Sequence, residues 1–162
     1  MTSPNYAALK AAMATGGQYA GMTDAEVLSA VNDATVTQAV DIPISALTQA
    51  LALSGLLPTV KEWASTAPLV GGSVTQEAAI AAQTLGLMVG PPPLFDSLQM
   101  SVPATAQAIN GMVSALVSAG LLTSQFADSI TALGTRNVSQ ATLWGWPGGI
   151  IENDLIAARA IP

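Results

Sequence analysis

Apolar side chains recur along this chain at the three- and four-residue spacing of an amphipathic helix. In residues 5–14 the apolar side contains Tyr6, Leu9 and Met13, and residues 103–119 form the longest pattern of this kind. Comparable patterns predict further helices at 24–32, 43–54, 74–88, 138–144 and 150–160, one around Trp63, and one that carries Phe126 and ends at Gly134. We therefore expect a mostly helical protein.

Helix starts are indicated by the Ser/Thr-x-x-Glu/Gln spacing, in which two side chains satisfy the first free amides of a helix reciprocally. This spacing occurs at Thr23–Glu26, Thr59–Glu62 and Ser73–Gln76. Asn137 is a further candidate N-cap, for the helix at 138–144. For Thr23, Asp24 and Glu26, a cap is a better explanation than a binding site.

Two stretches interrupt the helical pattern. Residues 33–41 are rich in Thr and Val, which favours a loop or a short strand near 35–40. Gly-Pro-Pro-Pro at 90–93 cannot continue a helix, and it is either a structural turn, a hinge between two helical halves, or a rigid peptide for a partner. The predicted fold is all-α: seven to nine short helices in an irregular bundle, with a minor β element, in a single domain over 1–162.

Charged residues are scarce. The chain is 51% hydrophobic and only 9% charged, whereas an ordinary globular domain has about 25% charged residues. Ala, Ser, Thr, Gly and Gln must therefore cover much of the surface, which would protect a monomer poorly against association. This composition predicts that much of the surface is buried against copies of the chain or against other proteins.

The charges also argue against nucleic-acid binding. The formal net charge is −6, and the basic residues are Lys10, Lys61, Arg136 and Arg159. They are scattered along the sequence, whereas phosphate contacts need clustered Lys and Arg. Direct nucleic-acid binding is not expected.

The residues of common active sites are missing. The chain has no cysteine and no histidine, which removes the thiolate nucleophile and the commonest general base and metal ligand. It contains neither a Gly-x-Ser-x-Gly elbow nor a phosphate-binding Gly-x-x-x-x-Gly-Lys loop. Distant carboxylates such as Asp24, Glu62 and Glu77 lack any local context for catalysis. The sequence predicts no enzyme, no catalytic residues, no cofactor and no metal site.

Membrane insertion and export are not expected either. Residues 97–127 carry no charge, but Pro103, Gly111 and Gly120 interrupt them, and a spanning helix needs about 20 predominantly apolar residues. The first ten residues lack the basic stretch and apolar run of a signal peptide.

The strongest candidates for partner binding lie in the last quarter of the chain. Trp144 and Trp146 flank Gly145 and are either core anchors or contact anchors for a partner, because buried aromatic side chains dominate many interfaces. Arg136 and Trp63 complete the set of partner-binding candidates.

Both ends of the chain resemble a family of small helical proteins encoded by tailed bacteriophages. The resemblance is carried by Asn5-Tyr6 with Leu9-Lys10 and by Tyr19–Val27, then by Leu133–Arg136 with Ser139–Ala141 and Leu143, and by a final Asp-x-x-x-Ala-Arg at Asp154–Arg159. Gln140 and Thr142 stand where the family has charged residues. The middle, about 33–118, has no counterpart in that pattern.

This resemblance implies a structural component of a phage particle in the head, neck or tail, located in the virion. It implies other virion proteins and copies of the chain itself as partners, and the family offers no catalytic residues to carry over. The alternatives are a soluble helical adaptor or regulatory module that binds a partner through Trp144 and Trp146, and a membrane-active phage protein.

Overall fold

The computed structural model describes residues 4–162, and within that range it contains nine helices and four short strands. The helices are α1 (Tyr6–Met13), α2 (Asp24–Asn32), α3 (Ile44–Leu53), α4 (Leu57–Trp63), α5 (Gln76–Val89), α6 (Pro103–Ser118), α7 (Ser124–Leu133), α8 (Gln140–Leu143) and α9 (Glu152–Ala160); the strands are β1 (Val36–Ala39), β2 (Ile42–Pro43), β3 (Ser97–Leu98) and β4 (Thr135–Val138). The mostly helical fold is confirmed, but the chain is not purely all-α.

The strands form two small sheets. The predicted β element near 35–40 is β1, which pairs with β4. The second sheet pairs β2 with β3 in antiparallel register, with Ile42 opposite Leu98 and Pro43 opposite Ser97. The sequence did not indicate β2, β3 or β4, because two to four residues are too few to produce a readable alternation.

The chain divides into two compact units, and the division does not fall at the proline turn. The discontinuous unit combines the segment up to Gln38 with the segment Asn137–Pro162, and the inserted unit is Ala39–Arg136. Residues 90–93 follow α5 inside the inserted unit, so the candidate hinge does not coincide with the division.

The discontinuous unit draws its core from both of its segments. The predicted capping box at the start of α2 is confirmed, since Thr23 N donates to Glu26 Oε2 at 2.8 Å and Glu26 N donates to Thr23 Oγ1 at 3.4 Å. Asn5 caps α1 by accepting from Ala8 N at 3.0 Å. The buried residues are Leu9, Ala12, Tyr19, Val27 and Val31 from the first segment, and Ala141, Trp146, Ile150, Leu155 and Ala158 from the second.

The N-cap predicted at Asn137 is wrong. Asn137 lies in β4, where its side-chain oxygen accepts from the hydroxyl of Thr37 at 3.4 Å. The helix begins two residues later, because Ser139 Oγ accepts from Thr142 N at 3.1 Å. Strand pairing therefore takes residue 137 out of the helix.

Two predicted capping boxes in the inserted unit are also wrong. Thr59 lies inside α4, which starts at Leu57 and has Pro58 in its first turn, where proline is well tolerated. α5 is capped by Thr75, whose Oγ1 accepts from Ala78 N at 3.1 Å. Ser73 instead donates its hydroxyl to the carbonyl oxygen of Ala119 at 3.0 Å.

The inserted unit is built around the contact of α4 with α5 and of α5 with α6. Gly86 permits the first contact, because a Cβ at this position would lie 2.7 Å from Val60 O and 2.9 Å from the carbonyl carbon of Trp63. The core continues through α3 and α7, and its largest fully buried side chains include Leu47, Leu51, Leu85 and Leu116.

Candidate partner-binding surface

The two tryptophans predicted for partner binding lie side by side in the discontinuous unit. Gly145 separates them with a φ of +96°, which favours glycine. Trp146 is only 7% exposed, and its ring meets Tyr6 edge-on at a centroid distance of 5.0 Å. Trp144 is half-buried and meets Tyr19 at 6.4 Å. Both rings therefore pack against the first segment of the chain.

Hydrogen bonds join the two segments beside these rings. Asn5 N donates to Trp144 O at 2.8 Å, and the hydroxyl of Tyr6 donates to Asp154 Oδ1 at 3.0 Å. The pKa of Tyr6 is raised, mainly by that hydrogen bond and to a smaller extent by the loss of contact with water. Asp154 Oδ2 also accepts from Ile151 N at 3.0 Å and so caps α9. This carboxylate thus fixes both a helix start and the position of α1.

Two of the four basic residues form contacts within the discontinuous unit. Arg159 forms a bidentate ion pair with Asp24, in which Nη1 of Arg159 lies 3.0 Å from Oδ2 of Asp24. The side-chain amine of Lys10 donates a hydrogen bond to Ile161 O. The hydrogen bond from Arg159 lowers the pKa of Asp24, and the pKa of Arg159 is raised in turn. The pair is exposed, so solvent screens it and its contribution to stability is small.

The other two predicted partner-binding residues do not join the tryptophan pair. Trp63 is 6% exposed and belongs to the core of the inserted unit. Arg136 is exposed on β4. The structure therefore brings together Trp144 and Trp146 only, and it buries Trp146 and Trp63 as core side chains.

Sequence reasoning missed the exposed apolar side chains of the inserted unit. Leu69 is 91% exposed and Leu53 is 82% exposed. Leu94 and Phe95 also point to solvent directly after the proline turn. Their positions could have indicated this exposure. Each side chain lies next to a turn that contains Gly or Pro, where the chain leaves the helix and no apolar helix face is available to cover the side chain.

A groove of about 680 Å³ lies beside this turn in the inserted unit. Its lining includes the buried side chains of Ile44 and Val89 and the smaller residues Thr48 and Ala52 of α3. Phe95, which is 53% exposed, stands on its edge. The groove is therefore apolar at its base and open to solvent.

One cation and one anion also line the groove. They are Lys61 of α4 and Asp96, whose carbonyl oxygen accepts from Ile44 N at 2.9 Å and so lies at the start of α3. Within residues 4–162 neither side chain has an ion-pair partner within 4.0 Å. Both charges are exposed and face solvent in the single chain.

Among residues 4–162, no three Asp or Glu side chains come together in a way that could hold a metal ion. No helix in that range combines the length and the apolar character required to cross a membrane.

The chain was compared with protein-family models, with curated proteins and with solved structures, and none of them matched. Function is therefore inferred from the residues of this chain and the surfaces that they form.

Proposed function

We propose that this chain is a non-enzymatic structural protein of a tailed-bacteriophage particle, in the head, neck or tail. It assembles with copies of itself and with other virion proteins through charge-poor helical surfaces. The observation that carries this proposal is the exposed apolar surface of the inserted unit.

That surface includes eight large apolar side chains. Apart from Leu69 and Leu53, large apolar side chains are exposed in the inserted unit at Val70, Ile80, Leu87, Leu94, Phe95 and Val102. Two pairs of these side chains are neighbours in the chain, Leu69 with Val70 and Leu94 with Phe95, and clustered exposed apolar side chains commonly mark a protein interface. Because charged residues make up only 9% of the chain, few charged side chains interrupt such surfaces.

The family resemblance supports the same proposal. The residues that carry it lie mainly in 5–27 and 139–159, and these segments fold together in the discontinuous unit. The resemblance therefore falls on two segments that share one core, as the parts of a single compact unit do.

The alternative adaptor function has less support. It needs Trp144 and Trp146 to offer their rings to a partner, yet Trp146 is 7% exposed and packs against Tyr6. A partner could reach only the half-buried ring of Trp144 without opening the core.

Mass spectrometry of purified particles tests the proposal. Particles produced from the genome that encodes this chain are banded on a density gradient, and its peptides are quantified against those of the major capsid protein. We expect a constant ratio across the fractions of the band, with a cytosolic host protein of similar abundance as the background control. A chain that is abundant in the lysate but falls to that background in the band would refute the proposal.

A further inference from the structure

A recess and a protrusion lie next to each other on the inserted unit. The recess is the groove along α3, and the protrusion is Leu94 and Phe95 after the proline turn. We propose that this face, termed the α3 face, binds the same face of a second copy of the chain around a two-fold axis. The inference deepens the proposed function, on which it rests, by naming one assembly surface and its occupant.

The shape of the α3 face suits a symmetric pair. A two-fold interface uses the same patch on both subunits, so the patch must contain both parts of every contact. Here Phe95 stands at the edge of the groove whose base contains Ile44 and Val89. In the pair, Phe95 of each copy covers the groove of the other.

Small side chains allow close approach. Ser45, Thr48 and Ala52 line the groove at successive turns of α3, and their spacing places them on one side of the helix. Gln49 is the one long side chain that α3 adds to this lining. The three short side chains leave room for the aromatic ring of a second copy to approach the buried side chains below. The apolar area of Leu94 and Phe95 is then removed from water, which favours association.

The charges favour a second copy as the occupant. Lys61 and Asp96 both line the groove, and neither is paired within the described chain. A two-fold axis that brings Lys61 opposite Asp96 of the partner subunit also forms the symmetric pair, so each of the four charges gains one opposite charge. An acidic or a basic peptide would neutralise one charge and leave the other facing a like charge.

Sedimentation velocity of the purified full chain tests this arrangement with charge reversals. The wild type is expected to form a dimer with twice the monomer mass of 16.3 kDa. Lys61→Glu and Asp96→Lys each bring like charges together at two symmetric positions, and each is expected to raise the dissociation constant by about tenfold or more. The double variant restores opposite charges, and its dissociation constant is expected to return to within about threefold of the wild type.

A second pair of variants tests the protrusion. Phe95→Gln is expected to weaken the dimer by about tenfold or more. Leu69→Gln is the control, because Leu69 is even more exposed than Phe95 but does not line the groove. We expect Leu69→Gln to leave the dissociation constant unchanged. Circular dichroism confirms that each variant is folded. A monomeric wild type, single reversals without effect, or a double reversal that fails to restore the dimer would each overturn the inference.

The two proposals can fail separately. If the chain is found in purified particles but the reversals leave its dissociation constant unchanged, the α3 face is not the assembly surface and the particle role still holds. If the dimer forms as described but the chain is absent from particles, the proposed function fails and the α3 face remains a dimer interface.

Discussion

Asn32 and Ile150 share two hydrogen bonds across 118 residues of sequence. The side-chain nitrogen of Asn32 donates to Ile150 O at 2.8 Å, and Ile150 N donates to the side-chain oxygen of Asn32 at 2.7 Å. The last residue of α2 therefore completes the backbone hydrogen bonding of the turn before α9. Gly149 supports the contact with a φ of +88°, since a Cβ there would lie 3.0 Å from Asn32 Oδ1.

Replacing this amide should loosen the discontinuous unit. Asn32→Asp keeps the acceptor but replaces the donor with an oxygen that faces Ile150 O. We expect the free energy of unfolding to fall by about 1–2 kcal/mol, measured by urea denaturation followed by tryptophan fluorescence. Asn110→Asp is the matched control, because Asn110 is exposed on α6 and has no hydrogen bond from its side chain among the described residues. Equal midpoints for the two variants would contradict the expectation.

Gly86 is expected to be intolerant of a single added methyl group. In Gly86→Ala the new Cβ would lie 2.7 Å from Val60 O and 2.9 Å from the carbonyl carbon of Trp63, so α4 and α5 must separate. We expect a loss of roughly 2 kcal/mol or more of unfolding free energy, seen as a lower thermal midpoint by circular dichroism.

The same substitution elsewhere should have the opposite sign. Gly111 lies inside α6, and a Cβ there would meet nothing within 4 Å. Gly111→Ala is therefore expected to raise stability by roughly 0.5–1 kcal/mol, because alanine loses less conformational entropy in a helix than glycine does. If both variants destabilised the protein equally, the close approach at Gly86 would not explain its presence.

Because of Asp41, the free energy of unfolding is expected to fall as the pH becomes acidic. Its Oδ1 accepts from Ser101 Oγ at 2.6 Å and from Ser101 N at 3.0 Å. These hydrogen bonds, the side-chain one first, lower the pKa of Asp41 below its ordinary value of 3.8. A lowered pKa means that the folded state favours the charged carboxylate, so the contribution is complete above pH 3.8 and is lost as pH falls through the folded-state pKa.

Thermal midpoints of wild type and Asp41→Asn across pH 7 to 2 would measure this contribution. We expect the wild type to be the more stable protein at pH 7 and the two midpoints to converge in acid, because a protonated Asp41 resembles asparagine. Asp128→Asn, an exposed change on α7, serves as the control. A constant difference between wild type and Asp41→Asn over the whole range would show that the carboxylate charge contributes nothing.

The inserted unit should fold without the rest of the chain. All buried residues of its core lie between Ile42 and Ile130, so residues 39–136 contain a complete core. We expect this fragment to be helical and to unfold cooperatively on heating, as monitored by circular dichroism. Residues 1–38 lack the buried side chains that the second segment supplies, and this fragment is expected to remain largely unfolded. A non-cooperative transition of 39–136 would count against its independence.

Local pattern was sufficient to predict the helices. The stripe of Tyr6, Leu9 and Met13 became α1, and the capping box at Thr23 became the start of α2. Such features depend only on residues three or four positions apart, which one sequence displays fully.

Features that depend on distant residues were not predictable. Ser73 and Thr75 are equally suitable caps in the sequence, and the hydrogen bond of Ser73 to Ala119 O decides between them. The N-cap prediction at Asn137 is wrong because Thr37, its hydrogen-bond partner in the paired strand, lies 100 residues away in sequence. The division into two units likewise rests on contacts such as Asn5 with Trp144.

The candidate site was predicted only in part. The role of Trp144 and Trp146 in partner binding stays a prediction, and their packing against Tyr19 and Tyr6, far away in sequence, was not predictable. The α3 face was missed because it combines residues of α3 and α4 with the proline turn, none of which is unusual alone.

The insertion of one unit within another affects how the chain folds as it is synthesised. Leu9 and Val27 leave the ribosome long before Trp146 and Leu155, with which they share a core. The inserted unit emerges in between with all of its own core, and its ends are joined by the hydrogen bond from Val40 N to Gly134 O at 2.9 Å. Joining those ends shortens the loop that must close before the two outer segments meet. The first helices to be translated are therefore the last to be stabilised.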